Sequence, residues 1–283
     1  MPARRVTFVI AVYGDESADE TKERVFAVAG VAGDEQSWEI LQGKWDERCG
    51  GIPFHANDCD SNQGDFAVFS DPENKERYKD LTILLSNSPG IGGFGIALDL
   101  IGQRKVFPEA PIGLAYYKCF IELIQAMRNC AAYNREIAKF TFDMRPEGAH
   151  NSGFLYSIAL KTSDWRPYLD TEIGLACSKE NSRIQVADLF AREVMKALDN
   201  QIGPKKRPPR KSWLCLADTT RFHMDVFSEE WFIDLRKNLP KLEMETGMSM
   251  RSYAEWLKDT KRQIDNISNR FAYIKHVIER DGE

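Results

Sequence analysis

Apolar positions fall in short runs separated by polar stretches, and the runs differ in kind. "VTFVIAVY" (6–13) is continuous and β-branched, which predicts a strand covered on both faces. The polar stretch "GDESADETKE" predicts a turn, and "RVFAVAGVAG" (24–33) a second strand. In "DEQSWEILQGKWDERCGG" (34–51), Trp38, Leu41 and Trp45 repeat at helical spacing behind Asp34 or Ser37 as cap and ahead of Gly-Gly. "FHANDCDSNQGDF" (54–66) reads as an extended segment entering a polar loop, and 73–87 as a helix. Next come a strand with closely approached glycines (91–100), a long helix (111–134) and a strand (137–144). A short helix (151–161), a strand (171–178) and a helix (182–200) complete the series.

Strands alternating with helices predict an α/β layered sheet, antiparallel at its start and mostly parallel afterwards, over residues 1–200. Residues 201–212 hold "IGPKKRPPRKS", a basic, proline-interrupted loop. Residues 213–283 predict a helical C-terminal extension, with an aromatic and aliphatic stripe from Tyr253 to Ile278 suited to packing on the main domain, a second copy of the chain or a partner protein.

Composition narrows the class. Apolar residues make up 43% of the 283, enough for a core, and the net charge of −5 argues against a surface coated for non-specific polyanion binding. The six cysteines include no C-x-x-C pair, which argues against a structural zinc knuckle and fits reduced thiols. The N-terminal apolar run is short and broken by Gly14 and acids rather than by a small-residue cleavage site. No run approaches the roughly 20 apolar residues of a bilayer span. The expectation is a cytoplasmic protein without membrane contact.

Chemistry is suggested by acids near strand ends. Asp15 closes the first strand, Asp143 closes "KFTFDM", and Asp188 sits in the first turns of the 182–200 helix. Side by side, such strand ends line one edge where ligands gather. Converging carboxylates repel unless a cation sits among them, and Mg²⁺ or Mn²⁺ suits an oxygen-only donor set. Each acid also has a structural reading: Asp15 as an Asx turn, Asp143 as a turn paired with Arg145, Asp188 on a solvated helix face or in an i,i+4 pair with Arg192. Ser182 followed by Gln185 has the form of a capping box. His55 reads either as a proton shuttle or metal contact, or as a partly buried histidine satisfied by Asp58 or a carbonyl. Lys205, Lys206, Arg207, Arg210 and Lys211 read as a phosphate-holding patch or as a solvated loop.

The motifs "YGDESAD", "FHANDCDSNQGDF", "FTFD" and "SKENSRIQVADLFA", in that order over residues 6–200, resemble the domain of unknown function 3800 family, which is grouped with RNase H-like nucleases. The resemblance implies an RNase H-like mixed sheet flanked by helices. It implies Asp15, Asp143 and Asp188 as metal-binding catalytic acids, with Glu16 as a second choice if the strand bends at Gly14. It implies a catalytic role for His55 and substrate-orienting roles for Ser178, Ser182 and Gln185. The fourth acid that RNase H-like enzymes often carry has no clear match; Glu122 and Asp99 are candidates. The implied activity is metal-dependent hydrolysis of DNA or RNA by a metal-activated water, in a mobile-element or antiviral setting. The alternatives are a catalytically degenerate nucleic-acid-binding or assembly module, and a hydrolase of small phosphoesters.

Overall fold

The computed structural model describes residues 9–108, 114–144, 149–161 and 164–246. The aromatic stripe of 252–280 lies outside them, as do Arg145 and the expected helix start at Pro111.

Strand β1 (Val9–Ala18) pairs antiparallel with β2 (Val25–Gly33), and β2 antiparallel with β3 (Gly92–Asp99). On the other edge of β1, β4 (Ile137–Asp143) runs parallel, followed by the short β5 (Gly174–Ala176). A further strand, β6 (Phe222–Phe227), pairs parallel with β3, so the described residues form one six-stranded sheet in the order β5-β4-β1-β2-β3-β6. β1 is central, as expected of a strand covered on both faces.

Two helix layers cover the sheet. On one face lie α1 (Glu35–Cys49), α3 (Asp71–Ser86), α7 (Ser182–Ile202) and α8 (Lys211–Ala217), whose Trp38, Trp45, Leu81, Phe190 and Leu216 are fully buried. On the other face α4 (Leu100–Val106), α5 (Leu114–Asn134), α6 (Ala149–Lys161) and α9 (Glu229–Thr246) contribute Leu100, Phe120, Leu155 and Phe232. α1 begins at Asp34, whose carboxylate accepts from the Ser37 amide, and ends at Gly50 in the left-handed region (φ 62°). The glycines of β3 serve close approach: a Cβ on Gly95 would stand 2.4 Å from the Val194 side chain of α7.

Three expectations are corrected. Residues 56–61 form a short helix, α2 (Ala56–Ser61), not an extended segment. The expected 171–178 strand is ladder-paired over three residues only. The region after 212, expected to be helical, contains β6, which buries Phe222 against Phe190 of α7 and completes the β3 edge. Among the described residues no helix is long and apolar enough to cross a membrane.

Candidate functional site

Along β1, Ala11 and Tyr13 pack on the α7 side of the sheet, while Ile10 and Val12 pack on the α5 side. Strand alternation therefore puts Asp15 on the α7 side and Glu16 on the α5 side. Asp15 is 2% exposed, and its Oδ1 accepts from the Glu16 amide at 2.7 Å. The strand does not end at the acids or bend at Gly14. It continues to Ala18, with Asp15 opposite Ala29 and Glu16 opposite Val28 of β2. Gly14 is small for a different reason: a Cβ there would stand 2.5 Å from the Phe142 ring on the neighbouring strand. Glu16 accordingly faces Tyr116 of α5, where burial first and the Glu16 charge second push the phenol up from its ordinary range.

On β4, Ala138, Phe140 and Phe142 enter the α5-side core, so Asp143 faces the α7 side. Gly14 is level with Phe142 in this parallel pair, which brings Asp15 level with Asp143 one step further along. The two carboxylates thus rise from strands about 4.8 Å apart, on the same face. Asp143 Oδ1 accepts from the Ser178 amide at 3.0 Å.

α7 lies across that face. Its cap is Asn181, whose side chain accepts from the Arg183 amide, and not the expected Ser182. The Ser182 hydroxyl instead donates to Asp46, and Gln185 makes no capping box. Gln185 is a buried junction: its Oε1 accepts from Trp45 Nε1 (3.2 Å) and the Phe54 amide (3.1 Å), while its Nε2 donates to the Ser178 carbonyl (2.8 Å). Ser178 and Gln185 therefore join the end of β4 to α7 and to residue 54.

Asp188, 4% exposed, accepts from the Ala56 amide at 2.8 Å through Oδ2. Above it His55 Nδ1 stands 3.0 Å from Asp58 Oδ2 and Nε2 stands 4.0 Å from Asp188 Oδ2. His55 is thus held by Asp58, as the structural reading expected, and it also faces Asp188. Among the described residues, the ion pair of Arg192 is with Asp60, and the expected Asp188–Arg192 pair is not formed. Arg192 turns one notch further along α7 and binds Asp60 of α2 (Nη2 to Oδ2, 2.8 Å).

Asp60 is the residue that sequence reasoning missed. Arg210 grips it with both terminal nitrogens at 2.9 Å and lies with its Nε 3.3 Å from Glu193 Oε1. Fully buried Glu193 also accepts from Tyr78 and Ser212 hydroxyls, each at 2.6 Å. Arg210 is therefore a member of a half-buried ion-pair cluster anchored on buried Glu193, and not part of an open phosphate patch. Lys205, Lys206, Arg207 and Lys211 are exposed. The only sequence signal for Asp60 was a second acid in the "HANDCD" stretch.

Of the fourth-acid candidates, Glu122 pairs with Lys118, and Asp99 caps α4 by accepting from the Gly102 amide at 2.8 Å. Both are used structurally.

Asp15, Asp143 and Asp188 form an oxygen-only set suited in kind to Mg²⁺ or Mn²⁺. In spacing, no group of three His, Cys, Asp or Glu side chains among the described residues is gathered closely enough to hold a metal ion.

The chain adopts the α/β mixed sheet flanked by helices that the sequence predicts. No family model and no curated protein matches the chain in sequence. Among solved structures it is similar to a chain of the PCNA:RNase HII complex from Archaeoglobus fulgidus, at 13% identity and a TM-score of 0.38, over 74% of this chain and 87% of that one. At that level the likeness carries no chemistry across.

Proposed function

We propose that the protein is a phosphodiesterase acting on DNA or RNA, with Asp15, Asp143 and Asp188 as its metal-binding acids. The observation that carries this reading is that Asp15 and Asp143 stand level on the same face of neighbouring strands, the face covered by α7, which carries Asp188 beside His55; gathering the three carboxylates round an ion requires their side chains to close in. The resemblance to the domain of unknown function 3800 family supports the same residues. Mg²⁺ or Mn²⁺, when bound, would neutralise the acids and lower the pKa of a water for attack on phosphorus.

The chain's own residues do the rest. The Ser178 and Ala56 amides fix one oxygen each of Asp143 and Asp188, so both carboxylates keep a set direction. His55, steadied at Nδ1 by Asp58, presents Nε2 on the Asp188 side, where it can hand a proton to the departing oxygen. The exposed Lys205, Lys206, Arg207 and Lys211 supply positive charge for a phosphate backbone.

The test is cleavage of labelled single- and double-stranded DNA and RNA with Mn²⁺, alongside Mn²⁺ binding measured by calorimetry. Asp15→Asn and Asp188→Asn are expected to lower cleavage by more than the roughly 10–100-fold that changes around a metal's ligands cost. Cleavage surviving in both variants, or absent on every substrate, removes the reading.

A further inference from the structure

Three side chains along one stripe of α7 each hold one point of the segment above it. Gln185 accepts from the Phe54 amide, Asp188 from the Ala56 amide, and Arg192 binds the Asp60 carboxylate. His55 and Asp58 are carried between these points. The outermost one, Asp60, is shared: Arg192 approaches it from α7, and Arg210 approaches from the end of the 203–210 strap. The strap is itself fixed to α7, since the Asn200 carbonyl accepts from the Arg207 amide (2.8 Å) and Asn200 Nδ2 donates to the Pro208 carbonyl (3.3 Å). Arg210 further stacks on Tyr78 of α3, 5.1 Å from the ring centroid, and pairs with buried Glu193.

Opposite charges face one another within the cluster, with the Lys196–Asp199 pair of α7 alongside. Two cations, Arg192 and Arg210, face two carboxylates, Asp60 and Glu193, with hydroxyls of Tyr78 and Ser212 filling the remaining acceptor sites. Burial alone would push the Asp60 carboxyl up, but hydrogen bonds and charge from Arg210 and Arg192 hold it below its ordinary value. Removing one member leaves a buried charge without its counterpart, which is costly, so the arrangement favours all of its contacts together.

We infer that Arg210 is a positioning residue: through Asp60 it latches the basic strap to the 54–61 segment and so keeps His55 seated over Asp188. The strap's exposed lysines meet the polyanion, and Arg210 ties that strap to the catalytic face. The kinetic part of this inference rests on the phosphodiesterase reading; the structural part does not.

Two measurements separate them. Hydrogen exchange on the full chain should show the Phe54, Ala56 and Cys59 amides exchanging about tenfold faster or more in Arg210→Gln, with β1 and β2 amides unchanged. Asp60→Asn should act likewise, and Arg210→Lys, which keeps one charge but not the fork, should recover part of the protection. In cleavage assays Arg210→Gln should lower kcat with KM little moved, whereas Lys206→Gln, a change in phosphate contact alone, should raise KM. Unchanged protection of residues 54–59 in both variants overturns the latch, as does a rise in KM alone for Arg210→Gln. If Arg210→Gln does not fold, Arg210→Lys and Asp60→Asn carry the same comparison. Absent cleavage by the wild type sinks the enzyme reading, and the exchange result still decides the latch.

Discussion

Asp60 and Asp19 are two carboxylates that the fold holds below their ordinary titration range. Both carboxylates are opposed by burial. At Asp60 the two arginines outweigh it; at Asp19 the Thr21 hydroxyl, the Val25 and Arg24 amides and the Arg24 charge do. Their folded pKa values lie below the unfolded value of about 3.9, so the unfolded chain takes up protons first as pH falls. Their contribution is complete above about pH 5 and is lost progressively through pH 4 and below. Thermal melts should therefore show a midpoint falling between pH 5 and pH 3, and Asp60→Asn should fall less steeply over that interval. An equal slope in the variant would detach Asp60 from acid stability. The sequence carried the expectation that the strands bearing Asp15 and Asp143 end along one edge; the face each carboxylate takes follows from the β1–β4 register. Arg210 was not legible, because a guanidinium in a run of basic residues looks like solvated charge until its partner, 150 positions earlier in the chain, is brought beside it.

At the scale of elements, β1 shows how a central strand overrides local polarity. Asp15, Glu16 and Ser17 lie within the ladder because β2 supplies partners for their backbone, whatever their side chains prefer. Gly14 makes room for Phe142, which touches Phe120 and Phe140. Gly14→Ala should crowd that ring and cost about 1–3 kcal/mol, read as a lower denaturant midpoint with an unchanged slope. A midpoint equal to wild type would mean that the ring can move aside freely. The helices with strong apolar spacing, α1 and α7, were legible nearly to the residue. α2 was not, since a single turn-rich helix of six residues has no periodicity to read. β6 did carry a signal. Phe222, Met224 and Val226 alternate with His223 and Asp225, but six residues inside a charged stretch are easily taken for helix.

At the scale of the molecule, the sheet does not close at residue 200. α8 and β6 cover the outer part of the α7 layer, with Leu216 and Phe222 buried at 0% and 1% exposure. Each such side chain is worth about 2–5 kcal/mol, against a typical total of about 5–15 kcal/mol. A chain ending at residue 200 is expected to lose its cooperative melt by circular dichroism and to elute as aggregate. A folded, monomeric 1–200 fragment would show that the later elements are dispensable to the core.

The β3–β6 pairing also sets a timetable. During synthesis β3 emerges early, but the strand that shields its outer edge is finished only when Phe227 has been added. At about 5–20 residues per second, that edge stays bare on the ribosome for on the order of ten seconds. For that interval the nascent chain presents an open template to any other extended peptide nearby. Holding by a chaperone, and sensitivity of yield to translation speed, follow from one late strand.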